Sequence, residues 1–523
     1  MAKLEKIKYQ HSLSKDIVAS FVVFIVALPL SMGIAIASGV PASRGLVTGI
    51  VGGILVGAIS GSPLQVSGPA AGLAVIVAEL VRSNGVEMLG PVILLAGLIQ
   101  TLAGVFKFGK IFRAISPAVI YGMLAGIGVL IFASQFHVML KQKPHETGIE
   151  NLITIPISLF HTFFAADSVN HLMAAAIGVI TLIVLLLWDK FKPRSLKLFP
   201  GGLIGVLTGT TIANLLHLSI PYVDVPVNLL EVIQIPTTGS LIRLLNPSLL
   251  ISAIAIAFIA SAESLLSAAA VDRLHQGSKT DFDRELTAQG FGNIVCGALG
   301  VLPMTGVIVR SSVNVKAGAT TRLSAILHGV WILLLVVLAP GLLRMIPMSS
   351  LSAILVVTGY KLVEVENIRK LKQYGRMPLV IFTATFLGII TTDLLKGVII
   401  GIVLTIMTLI YKISYLNLHL EKDEENRRIH VYIEGTATFI RLPKLASVLE
   451  DMPPNTELCV HFDKLLYIDH SCLDWLSMWA EQQQQRGNTV IMHWNNLEKR
   501  FRRPFRDLDI NIENKQSKRS QPL

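Results

Sequence analysis

The chain has 523 residues, of which 52% are hydrophobic and 15% charged, and a mean hydropathy of +0.63. That composition excludes a soluble domain and indicates an integral membrane protein. The net charge of +11 does not point to nucleic acid, because the basic residues are spread among short loops instead of forming one patch.

A bilayer crossing takes about 20 apolar residues. Stretches near that length recur from Ile17 to Leu416, and the reading expects about twelve full-length spans and two short ones. Residues 1–16 are read as a cytoplasmic N-terminus. The first span follows Lys3, Lys6, Lys8 and Lys15 and ends in Ala35-Ile36-Ala37, a sequence shaped like a signal-peptide cleavage site. Hydrophobic segments continue far beyond it, so it is expected to be retained. The next feature is "VSGPAAGLAVIVAELV", Val66 to Val81, too short after its Gly-Pro to cross a bilayer. Further along, short loops carry clustered cations: Lys107, Lys110 and Arg113; Lys190, Lys192, Arg194 and Lys197; Arg369, Lys370, Lys372 and Arg376. The longer opposite connections carry few, which places both termini in the cytoplasm. Their histidines, 137, 145, 161 and 171, lack metal-ligand spacing.

A second interruption, Thr305-Gly306 after Pro303, opens another short segment, Val307 to Val315, and Gly306 lies 238 residues after Gly68. Matching interruptions in two halves are the mark of an inverted-repeat transporter. The halves are read as 17–218 and 248–417, seven segments each, with the third of each half short. An odd number of segments inverts the second copy, so the two short helices would point toward each other.

A helix that starts inside the bilayer leaves N–H groups unpaired at an end carrying about half a positive charge. Such an end is tolerated where it lines a cavity and becomes useful when an anion fills that cavity. Ala70, Ala71 and Gly306 allow close approach to backbone N–H, and Pro69 is expected at an early helical position where no N–H is needed.

Glu263, in "IASAESLLSAAAV", falls near the middle of its span, with Ser267 one turn away. An intramembrane acid is functional by default, and Glu263 is expected to bind a coupling cation, either a proton or Na⁺. Arg310 would raise anion occupancy or offset Glu263; the alternative is snorkelling to the interface. His328, Gln289 and Asn293 are read as contacts between helices. Cys296, Cys459 and Cys472 show neither pairing nor metal spacing, and no cofactor or metal is called for.

Beyond Glu421 the chain turns charged. Short apolar runs, "RIHVYIEG", "ELCVHFDK" and "NTVIMHWN", alternate with helical stretches at Leu442 to Asp451 and Ser471 to Gln485, indicating a small cytoplasmic α/β domain over 429–512. Residues 513–523 are read as a disordered tail.

In order along the chain, "ALPLSMGIAIASGVPASRGL", "VSGPAAGL", "SAESLLSAAAVD" and "TGVIVRSSVNVKAGATTRLSAILHG" resemble the SulP anion transporter family, and the polar tail resembles that family's STAS domain. The resemblance implies fourteen segments in a seven-plus-seven inverted repeat. Segments one to four and eight to eleven would form a substrate-carrying core that moves against a gate as an elevator, commonly in a homodimer. It implies that the anion meets the amides of Ala70 and Ala71 and of Val307, Ile308 and Val309, with Leu30 and Met32 lining the first segment. Glu263 matches the acidic position tied to cation coupling, Glu in proton-coupled members and Asp in a sodium-coupled bicarbonate member. Arg310 matches a basic position of animal anion exchangers, which leaves exchange or channel modes open. "VHFDKLLYIDHSCLDWL" is similar to the STAS strand, loop and helix, with Ser471 at the phosphoacceptor position. His470 and Cys472 depart from the usual Asp-Ser-Ser-Gly, so the tail is read as a dimerisation or regulatory module.

The leading expectation is a cation-coupled transporter of a small inorganic anion, sulfate or bicarbonate, in the inner cell membrane, with the lipid bilayer and a second copy as partners and with no nucleic acid. Small dicarboxylates stay open as substrates. A nucleobase permease of the same fold and a membrane-anchored signalling protein acting through its tail are the rivals. Enzyme activity is not expected, since no nucleophile, base and orienting group recur at useful spacing.

Overall fold

Hydrocarbon offers the backbone no hydrogen-bonding partner, so each apolar stretch satisfies its peptide groups internally and becomes helix. The computed structural model describes residues 2–112, 116–145, 147–164, 168–193, 196, 199–226, 229–423 and 427–492. The expected disordered tail, Arg113, Arg194, Lys197 and the last part of the tail domain lie outside them. The chain divides into two units, Met1–Ile402 and Val403–Leu523.

The first half of the membrane unit comprises α1 (Ala2–Ala37), α2 (Ala42–Val51, continued as helix to Ile59), β1 (Ser67–Pro69), α3 (Ala71–Asn84), α4 (Leu89–Val105), α5 (Pro117–Met139), α6 (Ile155–Phe164), α7 (Ser168–Phe191) and α8 (Gly201–Leu215). The second comprises α9 (Pro247–Val271), α10 (Phe282–Ala298), β2 (Met304–Gly306), α11 (Ile308–Lys316), α12 (Leu323–Leu338), α13 (Met348–Leu362), α14 (Arg376–Thr391) and α15 (Leu394–Ile413). With α6 set aside as a helix within a connection, these are fourteen segments in two sets of seven, and the third of each set is a half-helix.

Three expectations need correction. Among the described residues eight helices are long and apolar enough to cross a membrane, where about twelve full-length spans were expected. Gly201–Leu215, Leu323–Leu338 and Arg376–Thr391 are shorter apolar helices, and α10 has 17 residues with a polar stripe that faces protein instead of lipid. Pro69 is not helical but closes β1, and α3 begins at Ala71. Pro69 sits at the end of a strand pair, where a missing N–H costs no ladder bond. The second half-helix runs Ile308–Lys316, one residue later than expected, with Val307 as its extended N-cap.

Two groups of helices pack internally. α1, α2, α4, α9, α10 and α12 hold the two half-helices, while α5, α7, α8, α13 and α14 pack on one another. The tightest seam, α4 on α10, is a backbone approach at Gly97 and Gly290. A Cβ on Gly97 would overlap the Ile294 amide nitrogen, and one on Gly290 would lie 2.8 Å from the Gly97 carbonyl oxygen. Between α1 and α12, Asp16 accepts from the Thr320 N–H at 2.7 Å and the Thr321 N–H at 3.1 Å, next to the start of α12.

In the second unit, β3 (Leu416–Asp423) pairs antiparallel with β4 (Arg428–Ala437), and β5 (Glu457–His461), β6 (Leu465–Ile468) and β7 (Thr489–Met492) extend the sheet with parallel pairings. The crossovers are α16 (Leu442–Leu449) and α17 (His470–Gln485). Leu445, Leu449, Leu476 and Trp479 pack on Ile429, Val431, Ile433, Leu458 and Val460. This is the small α/β, STAS-like unit, although its sheet starts at Leu416, before the charged stretch, and β6 was not read from the sequence. All three cysteines are free and buried.

Replacing Gly97 with Leu forces α4 from α10, and overpacking of this kind costs about 1–3 kcal/mol. The expected result is a lower midpoint in thermal unfolding of the detergent-solubilised protein, with Gly57→Leu, at a looser contact, shifting it less.

Candidate functional site

The site is built on a three-residue ladder. β1 and β2 pair antiparallel, Ser67 with Gly306, Gly68 with Thr305 and Pro69 with Met304. Because the strands run in opposite senses and each leads directly into a helix, α3 and α11 leave from opposite ends of the ladder, and their N-termini face inward. At about 3.4 Å per residue the two helix starts are only a short ladder apart. Two positive helix ends are thereby held together in the interior.

The broken backbone is satisfied by helices of both halves. In α10, Asn293 clamps Met304 in both senses, donating to its carbonyl at 3.0 Å and accepting from its N–H at 2.8 Å. One turn earlier, the Gln289 amide donates to Ser67 Oγ at 2.7 Å. In α2, Thr48 donates to the Leu302 carbonyl at 3.0 Å and Arg44 to the Gly300 carbonyl at 2.6 Å. The Gly306 N–H donates to Ser264 Oγ at 3.1 Å, and the Val307 N–H to the Val66 carbonyl at 2.9 Å. Gln289 and Asn293 therefore fasten the strands as well as linking helices, whereas the His328 Nδ1 meets its own helix at the Ala325 carbonyl, 2.5 Å away. An i, i+4, i+8 polar stripe on α10 was visible in the sequence as Glu285, Gln289 and Asn293; its partners were not.

Beside the ladder is a cavity of about 1580 Å³. Its walls include Leu30, Ala71, Gly72, Glu263, Ser267 and, from the second half-helix, Val307, Ile308, Val309 and Arg310. Three expected site residues are not on that wall. Met32 is fully buried on another side of α1, Ala70 is buried as the N-cap of α3, and Gly306 sits in the ladder with its N–H already used. Val307 reaches the cavity, but its N–H is bonded to Val66, which leaves the first-turn amides of Ile308 and Val309 on this side. Pro29, which was not singled out, lines the cavity beside Leu30. The cavity also reaches a rim of Lys190, Lys192, Arg273, Lys316 and Lys361.

Two charged groups sit at the helix starts. The Glu263 carboxyl packs on Gly72 in the first turn of α3, where a Cβ would be 2.7 Å from Oε2. Among the described residues that Oε2 is buried without a hydrogen-bond partner. Arg310 has 0% exposure, so it does not snorkel. Its guanidinium lies against Gly68, with one long bond from Nη2 to the Pro69 carbonyl at 3.5 Å, and Nε and Nη1 are buried with no partner among the described residues.

In the α/β unit, Ser471 lies in the first turn of α17. The N-cap, Asp469, accepts from the Cys472 N–H at 2.9 Å and the Phe439 N–H at 2.5 Å. Burial pushes the Asp469 carboxyl up, but those two amides outweigh it and hold it below the usual aspartate value. That carboxylate already occupies the helix end that a phosphate would use. Burial, followed by Asp469 itself, pushes the Cys472 thiol up to about 12, which makes it unreactive.

Inward-facing half-helices, crossed through a strand pair and flanked by a buried arginine, define a membrane transporter of the inverted-repeat class. The chain belongs to the sulfate permease family, whose pattern matches residues 13–385. It is 31% identical over 479 residues to the putative sulfate transporter YvdB of Bacillus subtilis, covering 87% of each chain. Over 428 residues it is 23% identical to the bicarbonate transporter BicA of Picosynechococcus, covering 78% of this chain and 71% of that one. Among solved structures, it resembles the transmembrane domain of a cyanobacterial bicarbonate transporter BicA, with a TM-score of 0.60, 23% identity and coverage of 74% and 97%. Murine Slc26a9, described as an anion transporter in the inward-facing state, matches with a TM-score of 0.74, 14% identity and coverage of 91% and 85%.

The Asn293 clamp gives a direct test. Asn293→Leu strips partners from the Met304 N–H and carbonyl, and each buried group left unpaired costs about 1–3 kcal/mol. Unfolding in nanodiscs is expected to show a loss larger than that of Ser264→Ala, which removes one partner.

Proposed function

We propose that the chain is a secondary active transporter that carries a small inorganic anion, sulfate first, together with a proton. The observation that carries this is the position of Glu263. An ionised carboxylate in the first turn of α3 competes with a substrate anion for the same positive helix end. Protonation removes the competitor, so proton and anion occupy the site together, which is the condition for symport. Arg310, buried with free donors at the other helix start, supplies fixed positive charge for the anion. The names of similar proteins, a putative sulfate transporter and a bicarbonate transporter, agree with an oxyanion of this size.

Motion is proposed to be elevator-like. The helices bearing the site (α1, α3, α9 and α11) belong to one packing group, and the far wall, at Ile120, Tyr121, Ile354 and Val357, belongs to the other. With the basic rim on the cytoplasmic side, the cavity opens inward and both termini are cytoplasmic. The inner membrane and a homodimer complete this proposal. A second reading is Na⁺ in place of the proton with bicarbonate as the anion; it is favoured by the Ser267 hydroxyl on the same cavity wall as Glu263.

Labelled sulfate uptake into proteoliposomes decides between them. Uptake is expected to follow an inward proton gradient and to lose that dependence in Glu263→Gln, which retains downhill flux. Arg310→Gln is expected to raise the KM for sulfate by about tenfold, as for one lost charge-assisted hydrogen bond. Uptake of bicarbonate alone, driven by Na⁺, would overturn the proton and sulfate assignment.

A further inference from the structure

Glu285 is another buried acid of the membrane unit, away from the cavity wall and with no ion pair among the described residues. Its side chain has 0% exposure and lies in the first turn of α10. One carboxyl oxygen accepts from Ser60 Oγ at 2.6 Å and from the Ser62 N–H at 2.9 Å; the other accepts from the Gln289 amide nitrogen at 2.8 Å. A carboxylate can only accept, so it dictates which end of the Gln289 amide turns toward it. The second N–H of that same amide then falls on Ser67 Oγ, at 2.7 Å, in the strand that opens α3. On the other side, Thr280 Oγ1 donates to Asp272 at 2.9 Å and accepts from Ser62 Oγ at 3.0 Å, and Asp272 caps the C-terminus of α9, the helix that carries Glu263. One buried carboxylate therefore stands between the start of α3 and the end of α9, the two elements whose contact is Glu263 against Gly72.

We propose that Glu285 is a positioning residue of the anion site, acting through the orientation of Gln289 to hold Ser67, and with it the first-turn amides of α3, in register with Glu263. It does not touch the anion. The inference rests on the anion-transport reading for its effect on flux, whereas its structural half is independent of any substrate. Glu285→Gln keeps the shape of the side chain but presents an amide that no longer dictates the orientation of Gln289. Gln289 then loses the charge-assisted bond that fixes its amide, and its hold on Ser67 Oγ is no longer set in one sense.

The test is hydrogen exchange by mass spectrometry on the full chain in nanodiscs, joined to labelled sulfate uptake. Glu285→Gln is expected to speed exchange about tenfold in peptides spanning 64–73 and 302–310, the effect of losing one charge-assisted hydrogen bond. Peptides of the α5 and α13 pair should be unchanged. Ser67→Ala is expected to give the same change, and the double variant no more than either alone, because both cut one chain of bonds. In uptake, KM should rise with kcat little altered, and Glu285→Asp should not restore it, since the shorter side chain cannot reach both Ser60 and Gln289. Wild-type exchange at 64–73 in both single variants, or additive effects in the double, would overturn the proposal even if sulfate uptake is normal. Absence of sulfate uptake by the wild type would instead strike the transport assignment, and the exchange result would still decide the role of Glu285. Should Glu285→Gln fail to fold, Ser67→Ala and Gln289→Met read the same chain from its other end, with the same expected and overturning results.

Discussion

Everything in the membrane unit follows from one constraint: two helices begin inside the bilayer, and every peptide group exposed by those breaks has to find a partner there. The three-residue ladder of β1 and β2 meets part of the need. The remainder is met partly across the repeat, with Arg44 and Thr48 of α2 holding the approach to β2 and Gln289 of α10 holding Ser67, and partly within the second half, where Asn293 of α10 holds Met304. Without α2 the Gly300 and Leu302 carbonyls would lose these partners, so the contact between the halves also bears on stability. Among the groups without a partner in the described residues are the Arg310 Nε and Nη1 and the Glu263 Oε2, and both side chains belong to the cavity wall.

Glu263 and Arg310 divide the electrostatics of that opening. The carboxyl lies at the start of α3, and the guanidinium, carried on the first turn of α11, reaches across to Gly68 and the Pro69 carbonyl of the strand that leads into α3. The proposed anion site, made of helix ends and one arginine, would select for charge and size more than for shape, since backbone amides adapt to any oxyanion that reaches them.

The fourteen segments, the two half-helices and the α/β unit could be read from composition alone because their signals are local: apolar runs, glycine and proline at matching positions, and a switch to short alternating runs. Glu263 and Arg310 stood out for the same reason, as charges in apolar surroundings. The strand pair could not be read. Three residues, Ser67 to Pro69, carry no periodicity, and they pair with Met304 to Gly306, far away in the second half of the chain. Pro69 was therefore placed in the helix it precedes. Met32 and Leu30 are neighbours in sequence but point to different sides of α1, and only the packing of α1 shows which side is wet. Gln289 and Asn293 were read as contacts between helices, and Glu285, one turn before them on α10, was not singled out, because their partners lie in irregular backbone.

An elevator motion asks that one set of helices stay rigid while its contact with the other stays smooth, and the placement of polar groups meets both demands. Within the site-bearing set, Gln100 bonds Ser261 at 3.2 Å and Asn293 bonds Gln100 at 2.7 Å, which laces α4, α9 and α10 together. Within the other, Thr181 of α7 meets Ser350 of α13 at 3.0 Å. Where the sets meet, Gly33 of α1 faces the Leu355 side chain of α13, and Val26 and Leu30 share the cavity with Ile120 and Ile354. Hydrogen bonds resist sliding because a shifted partner leaves a buried group unpaired, whereas aliphatic side chains exchange one neighbour for another at little cost. Polar contacts bind each set and apolar contacts separate them, the arrangement that the proposed elevator motion requires if the ladder is to travel as one piece.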